Sequence, residues 1–316
     1  MPLPHDAYGQ NCPDLKIMGK GTKIYSHKPV MEEEISQFLL TDPDGLYLDA
    51  TVGLGGHSSR ILSFLKNGKL LGLDQDSDAL SYAEKKLAPF KEKFSLIQAN
   101  FKETGAILKT RNFFPLTGAL FDLGVSSLQL DNPLKGFSFR EDGPLDMRFS
   151  RENPLTAAII VNRWPEDQIS RILIEYGEEP RAQKIARQIV QERKKNPIET
   201  TSALASLISR VGFHGKTHPA TRSFMALRIA VNGELDNIEP GIRGALSHLK
   251  IGGRIAAITF HSLEDRLVKN LFQSFSSEGK TRFVGPKQVP PNEEEIQNNP
   301  RARSAKLRVM EKINEK

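Results

Sequence analysis

The sequence predicts an α/β fold, a doubly wound parallel sheet that a block of helices interrupts. Two observations support this prediction. Between Gly45 and Asp122, short apolar segments alternate with helical patterns, which is typical of parallel strands with helices on both faces. The next strong strand pattern begins only at Arg254, although a strand–helix–strand unit needs about 30 residues, and the segment between has a helical period.

The predicted elements of the sheet follow in order along the chain. A short amphipathic helix at residues 32–40 precedes the first strand. Strands are predicted at residues 46–50, 69–74, 94–99, 118–122 and 254–260. Helices are predicted from Ser58, at 77–87 and 101–109 between the first four strands, and at about 262–275 after the fifth. A loop at 285–299, rich in Pro, Glu and Asn, and a basic tail at 301–308 complete the chain.

The interrupting segment is predicted to form four helices. Pro165 is a favourable first helical residue, residues 182–193 form a second helix, Thr201 and Ser202 can cap a third, and residues 220–235 form a fourth. We therefore predict an N-terminal arm at 1–25 and an inserted helical domain at 128–232. Residues 26–127 and 233–316 then form the discontinuous sheet domain.

Composition excludes several classes of protein. Hydrophobic residues make up 38% and charged residues 26% of the chain, which is typical of a soluble globular protein rather than a disordered or membrane one. No apolar run reaches the roughly 18 residues that span a bilayer, and the polar first 20 residues do not resemble a signal peptide. Cys12 is the only cysteine, which excludes an internal disulfide and leads us to expect a cytoplasmic protein.

A glycine-rich turn, Gly53-Leu54-Gly55-Gly56-His57-Ser58, joins the first strand to its helix. Glycines let backbone N–H groups approach a nucleotide-like ligand closely. A dinucleotide site would have a third glycine where Ser58 stands, and a phosphate-binding P-loop would continue with lysine. Both patterns are incomplete here.

S-adenosylmethionine is the third candidate ligand, since it carries a sulfonium and an amino group but no phosphate. Asp49, at the end of the first strand, suits such a cation and would repel a pyrophosphate. Asp74 ends the second strand, where an acid can accept both ribose hydroxyls, and Phe101 can lie against the adenine. These residues favour a methyl donor, while a dehydrogenase-like or purely structural unit of the same fold stays open.

A family resemblance rests on motifs that run in order along nearly the whole chain. They are DATVGLGGHS (49–58), GLDQD (72–76), DLGVSSLQLD (122–131), GFSF (136–139), DGPLDMR (142–148), YGEE (176–179), HPATR (218–222), ALRI (226–229), VN (231–232), FHSLEDR (260–266) and NPRARS (299–304). In these motifs the chain resembles the bacterial 16S ribosomal RNA (cytosine-N4)-methyltransferase family.

The resemblance implies a class I Rossmann-like methyltransferase sheet with an inserted all-helical domain. It also implies S-adenosyl-L-methionine as donor, a cytidine N4 amine in the decoding region of 16S rRNA as acceptor, and the small ribosomal subunit as partner. Membranes are not expected as partners, and monomer and homodimer both stay open. The implied donor ligands are Gly55, Gly56, His57, Asp74, Phe101, Asp122 and Gln129. Two departures, Lys135 for the usual arginine and Met225 for glutamine, can soften an RNA contact.

Asp122 is the candidate catalytic residue. The N4 amine of cytosine is a poor nucleophile, because its lone pair is delocalised into the ring, so positioning and preorganised polar groups must supply most of the rate gain. Enzymes of this fold that methylate amines often have an Asp/Asn-Pro-Pro-aromatic turn after the fourth strand. Here Asp122-Leu123-Gly124-Val125 lacks the prolines. Asp122 can hold the target amine or the donor's amino group, and the resemblance favours the donor; capping of the loop is the structural alternative.

Three further side chains have two interpretations each. Phe137 or Phe139 can stack on a cytosine drawn out of its helix, or can anchor the insert against the sheet. His261 follows the fifth strand and can relay a proton, or can serve as a buried structural group.

His214 and His218 have the i,i+4 spacing of metal ligands, but glycine and proline flank them and no cysteine pair is near, so we expect no metal site.

Basic residues cluster in the insert and the tail. The formal net charge of +6 favours an anionic partner only slightly. Arg181, Lys184 and Arg187 recur every three residues and form one basic stripe. The further candidates are Arg193, Lys194, Lys195, Arg222, Arg228, Arg301, Arg303, Lys306 and Arg308. Together with the resemblance, this distribution predicts a surface that contacts the RNA backbone; an ordinary solvated face is the alternative.

Overall fold

The computed structural model describes residues 29–212 and 218–315 and centres on one seven-stranded sheet. Its strands are β1 Leu46–Asp49, β2 Lys69–Asp74, β3 Phe94–Gln98, β4 Leu116–Asp122, β5 Leu249–Thr259, β6 Thr281–Phe283 and β7 Lys306–Lys312. Their order across the sheet is β3-β2-β1-β4-β5-β7-β6. The first five strands are parallel, whereas β7 pairs antiparallel with both β5 and β6. The predicted α/β class is confirmed.

Thirteen α-helices surround and interrupt the sheet in the part of the chain that the structure describes. They are α1 Glu32–Leu39, α2 Gly56–Phe64, α3 Ser77–Leu87, α4 Thr104–Arg111, α5 Ser127–Asp131, α6 Ala157–Arg163, α7 Glu166–Glu175, α8 Ala182–Arg193, α9 Thr201–Arg210, α10 Thr221–Asn232, α11 Glu234–Ser247, α12 Ser262–Ser277 and α13 Glu293–Asn298. The single helix predicted at 220–235 is wrong at its end. Gly233, with a left-handed φ of 59°, separates α10 from α11, which extends to Ser247.

Each face of the sheet has its own apolar core, because side chains alternate along a strand. Leu48, Leu71 and Phe121 point to the face that α11 and α12 cover. Tyr47 and Leu70 point to the opposite face, under α1 and α2. Both faces of the central strands are therefore buried, as parallel strands require.

The insert has an apolar core of its own. Its buried residues extend from Phe137 to Val231 and come from α6 to α10 and the loops that join them. The chain leaves the sheet after β4 and returns through α11, whose buried face packs on the sheet. The domain limits 128 and 232 stay a prediction, and the predicted arm at 1–25 lies outside the described residues. Within those residues, no helix is both long enough and apolar enough to cross a membrane.

Strand β7 occupies the place where the sequence predicted a basic tail. Leu307 and Val309 contribute to one core and Met310 to the other, so β7 is buried on both faces. The charged residues that hide this strand pattern are themselves in the interior: Arg308 is only 4% exposed and its guanidinium bonds Asp265 at 2.8 Å. Local sequence cannot reveal such a pair, since its members lie 43 residues apart.

Candidate active site

A cavity of about 370 Å³ opens at the carboxyl ends of the parallel strands. Residues after β1, β2, β4 and β5 line it, together with residues of the insert. Open α/β sheets bind their ligands at this edge, and the volume is in the range of small-molecule sites. The cavity is therefore the candidate active site.

The glycine turn forms one wall of the cavity. Gly53 and Gly55 have φ values of 52° and 75°, in the left-handed region that favours glycine. Gly56 and His57 line the cavity, as predicted for donor ligands. Gly55 does not line the cavity. A Cβ atom at this position would lie 3.2 Å from Cβ of Ala83 in α3. The absence of a side chain at Gly55 therefore allows the tight turn and the close packing of α2 on α3.

Asp74 lies on the adjacent wall, where a ribose was predicted. Its Oδ2 accepts the N–H of Gly53 at 2.7 Å, and its Oδ1 accepts the N–H of Asp76 at 2.9 Å. Burial raises the pKa of Asp74 to about 6, although these two bonds oppose the rise. Each oxygen of a carboxylate can accept a second hydrogen bond, so Asp74 keeps the capacity to hold two hydroxyl groups.

Asp122 carries an unsatisfied acceptor at the end of β4. Its Oδ1 is buried and has no hydrogen-bond partner among the described residues, while its Oδ2 lies 3.7 Å from Nε2 of His57. Burial raises the pKa of Asp122 well above its usual value, and the charges of Asp49 and Glu264 raise it further. A buried acceptor without compensation, facing a cavity, fits a cationic ligand.

Asp49 is placed differently from the prediction, because it lies behind the wall and does not line the cavity. Its Oδ2 accepts the hydroxyl of Ser58 at 2.6 Å, and its Oδ1 accepts the N–H of Thr51 at 3.2 Å. Burial raises its pKa to about 6. Asp49 thus supports the glycine turn and acts on the cavity through its charge.

Phe101 and Gln129 complete the predicted donor set, and both line the cavity. The Phe101 ring packs edge-on against Phe121, with centroids 5.9 Å apart. Gln129 belongs to α5, where its Oε1 accepts the N–H of Ser126 at 2.9 Å, and its Nε2 donates to Asp76 at 3.1 Å. The structure therefore brings together six of the seven predicted residues around one cavity, all but Gly55.

Lys135 lies in the interior, not on a surface. Its Nζ donates to Oδ2 of Asp76 at 2.6 Å and lies 3.2 Å from Asp78, and its side chain is 11% exposed. The expectation of an RNA contact at this position is therefore wrong. Lys135 ties the start of the insert to the wall that carries Asp74.

Charged residues of α10, α11 and α12 form a further part of the cavity wall. Arg228 and Glu234 form a two-point ion pair at 2.8 and 2.9 Å, and Arg228 is too buried to be part of an RNA surface. His261 caps α12: its Nδ1 accepts the N–H of Glu264 at 3.4 Å, and its Nε2 lies 3.0 Å from Oε1 of the same residue. Burial alone would raise the pKa of Glu264, but the hydrogen bond and charge of His261, with the charge of Arg228, hold it below its usual value.

Nδ1 of His261 is used by the cap, whereas its Nε2 is buried and has no hydrogen-bond partner among the described residues, although Oε1 of Glu264 lies 3.0 Å away. The structural and the proton-relay interpretations of this histidine therefore both stay open. Sequence reasoning missed Glu264 and Glu234 as cavity residues. The spacing of His261 and Glu264 is that of a capping box, in which the third helical residue reaches back to the cap, and this signal could have found the pair. No comparable local signal marks Glu234.

The aromatic residues of the 136–149 loop anchor the insert. Phe137 is 6% exposed and stacks on Phe149, with centroids 5.4 Å apart. Phe139 stacks on His218 at 4.4 Å and meets Phe224 edge-on at 4.9 Å. The anchoring alternative therefore describes both predicted rings. Phe149, which sequence reasoning missed, is the ring of this group that reaches the cavity wall.

The basic candidates divide into exposed and engaged residues. Lys184 and Arg187 project into solvent from α8, so the stripe is a surface feature. In the tail, Arg308 is buried and Arg301 bonds Ser127 and Asp131, so the predicted contact surface is wrong for Arg308. No group of three or more potential metal ligands occurs in the described residues, and His214 lies outside them.

The sequence as a whole resembles one protein family and several individual proteins. The sequence profile of a family described as the MraW methylase family matches residues 24–313. A relative from Carboxydothermus hydrogenoformans is 47% identical over 307 residues, with 92% of this chain and 98% of the relative covered. Relatives from Caldicellulosiruptor bescii and Elusimicrobium minutum are 44% and 46% identical over 308 and 292 residues, each covering 92% of this chain and 100% and 99% of the relative.

All three relatives bear the name Ribosomal RNA small subunit methyltransferase H. The resemblance drawn from the ordered motifs is confirmed by these matches. The chain belongs to the MraW methylase family.

Proposed function

We propose that this chain transfers a methyl group from S-adenosyl-L-methionine to the N4 amine of one cytidine in 16S rRNA, at position 1402 in the usual numbering. The observation that carries the proposal is the acidic cavity beside the glycine turn, with the unsatisfied Oδ1 of Asp122 inside it. Family membership supports methyl transfer, and the relatives' name supports ribosomal RNA of the small subunit as substrate. We place the protein in the cytoplasm.

The donor fits the residues that are present. Its two positive charges, on the sulfonium and the amino group, match a cavity in which burial raises the pKa values of Asp74 and Asp122. Asp74 accepts the ribose hydroxyls, Phe101 lies against the adenine, and Asp122 holds the amino group. Gly56, His57 and Gln129 shape the remaining walls, and Gly55 sets the turn that presents them. When bound, the donor supplies an electrophilic methyl group.

The insert supplies the acceptor side of the cavity. Met225, Arg228 and Phe149 all belong to it and line the cavity. The apolar side chains of Met225 and Phe149 exclude water from the reacting atoms, which strengthens the polar interactions inside. Asp122 lines the same cavity, and we assign it the catalytic role: its carboxylate keeps the reacting groups in line, whether through the donor's amino group or the target amine.

Modification mapping tests the proposal. Deletion of the gene should abolish N4-methylcytidine at one decoding-region position of 16S rRNA, and the wild-type gene should restore it. Asp122→Asn keeps the shape of the side chain but removes its charge, so we expect turnover at least about 100-fold lower with the fold intact. Asp167→Asn, an exposed acid on α7, is the matched control and should restore modification fully.

Two results would overturn the proposal. Unchanged modification after deletion would remove the assigned substrate, and near-normal turnover of Asp122→Asn with saturating donor would remove Asp122 from the chemistry. A protein that binds small subunits but not S-adenosylmethionine in a calorimetric titration would be a non-catalytic RNA-binding factor instead.

A further inference from the structure

A second cavity, a groove of about 390 Å³, adjoins the first and shares Phe260 and His261 with it. Its other walls are the start of α12, the segment 288–291 and the segment 303–306. The two cavities differ in charge. Four acids line the first together with three cations, whereas no acidic residue of the described chain lines the groove. The groove is therefore the more cationic of the two neighbouring sites and suits an anionic ligand.

Arg303 is the cation that the groove leaves available. It is exposed and has no ion pair or hydrogen bond among the described residues. The other cations near it are engaged: Arg308 bonds Asp265, Arg301 bonds Asp131, and Lys306 lies 3.0 Å from Asp265. A guanidinium held at the side of a concave surface without an acid is suited to a phosphate.

The groove is built before any ligand arrives. Arg308 donates to the carbonyl oxygen of Lys287 at 2.7 Å and to Oε1 of Gln288 at 3.2 Å, which fixes one wall from behind. Val289 and Leu307 exchange both backbone hydrogen bonds at 2.9 Å. Preformed walls reduce the entropy lost when a ligand binds.

Pro290 and Pro291 follow this fixed segment and, with Ile296, contribute apolar surface to the groove that Arg303 also lines. Proline rings are rigid and have no N–H group that would need a partner, so they offer a flat apolar contact at low cost. A cation and an apolar surface in one groove match the phosphate and the sugar or base of one nucleotide.

We propose that this groove binds the ribonucleotide next to the target cytidine, with Arg303 as the ligand of its phosphate. The inference rests on the proposed function, since it requires an RNA base in the first cavity. A target base must leave its stack to react, so the strand beside it has to be held at the mouth of the cavity. The groove begins there, because it shares the Phe260–His261 wall.

The first arm of the test measures charge. Affinity of Arg303→Ala for small ribosomal subunits should fall several-fold, and the slope of log affinity against log salt should become shallower by about 0.7, the value for one phosphate of a single strand. Arg303→Lys should recover most of the loss, because lysine also contacts phosphate as a point charge. Arg111→Ala is the control: this exposed arginine ends α4, shortly before β4 begins, and lines neither cavity.

The second arm measures position and uses the single cysteine of the chain. With Cys12 replaced by serine, Arg303→Cys can carry a tethered iron–EDTA probe that cleaves nearby RNA. Cleavage of 16S rRNA should fall on the nucleotides that flank the target cytidine. The same probe at Arg111→Cys should leave those nucleotides intact.

An unchanged salt slope in Arg303→Ala, or cleavage away from the target, would overturn the assignment of the groove. Both results can occur while the wild-type protein still forms N4-methylcytidine, so failure of the groove is distinct from failure of the proposed function. Absence of N4-methylcytidine with the wild-type protein would reject the proposed function instead.

Discussion

Replacement of Asp49 by asparagine should stabilise the donor-free protein at neutral pH. Asp49 is fully buried, and burial raises its pKa from 3.8 to about 6. A folded-state pKa above the unfolded value means that the ionised form is penalised in the fold. At pH 7.5 this penalty is about 3 kcal/mol, since one pKa unit corresponds to about 1.4 kcal/mol.

The asparagine of the variant keeps the shape of the side chain and carries no charge, so it avoids the penalty. Its weaker hydrogen bonds to Ser58 and Thr51 should cost about 1 kcal/mol, which leaves a net gain of about 2 kcal/mol. The cost of the weaker hydrogen bonds is the same at every pH, so it does not affect how the stability difference changes with pH. At pH 5 the penalty on Asp49 falls to about 1.6 kcal/mol, so the advantage of the variant should shrink by about 1.4 kcal/mol.

Urea denaturation of donor-free wild-type and Asp49→Asn protein at pH 7.5 and pH 5.0 measures the difference directly, with Asp167→Asn as an exposed control. Loss of the Asp49 charge also removes its repulsion of Asp74 and Asp122, which stabilises the variant further. A stability difference that is the same at both pH values would refute the reasoning. Donor binding should weaken in the same variant, because the charge behind the glycine turn attracts the cation.

Three further outcomes are expected. Lys135→Met should lower the free energy of unfolding by about 3 kcal/mol in denaturant titrations, because it leaves the carboxylate of Asp76 buried without its cation; an unchanged midpoint would contradict this. Binding of S-adenosylmethionine at pH 6 to 7 should release protons, since hydrogen bonds from the ribose hydroxyls favour the ionised form of Asp74 and lower its raised pKa, and calorimetry in buffers of different ionisation enthalpy would detect it; heats that do not depend on the buffer would count against it. Charge reversal of Arg181 and Lys184 should weaken binding to small subunits and flatten its salt dependence with little change in stability; equal affinity across salt concentrations would exclude the α8 stripe as an RNA surface.

The parallel half of the fold could be predicted because its signals are local. Each of the first four strands is a short apolar run that ends before a helical period, and the long gap before Arg254 revealed the insert. Strand β7 could not be found in this way. Its charged residues are neutralised by residues of other elements, as Arg308 is by Asp265, and only the folded chain brings them together.

In the candidate site, too, the sequence predicts the residues that follow a local pattern and misses those that only the folded chain brings together. The glycine turn, Asp74 and Asp122 follow strand ends, so their common position at one edge of the sheet follows from the predicted topology. Whether a strand-end acid faces the cavity depends on side-chain direction, and Asp49 points behind the wall. Glu234 reaches the cavity from the junction of insert and sheet domain, which no local pattern marks.

The adjacency of β4 and β5 has a consequence for synthesis on the ribosome. Strand β4 pairs with β5, yet 126 residues separate Asp122 from Leu249. At roughly 5–20 residues per second, β4 waits about 6–25 s for its partner after it has been made. During that interval an apolar strand, later buried on both faces, is the open edge of a half-built sheet. Rapid folding of the insert, which has its own apolar core, would shorten the effective distance between the two strands and limit aggregation of the nascent chain.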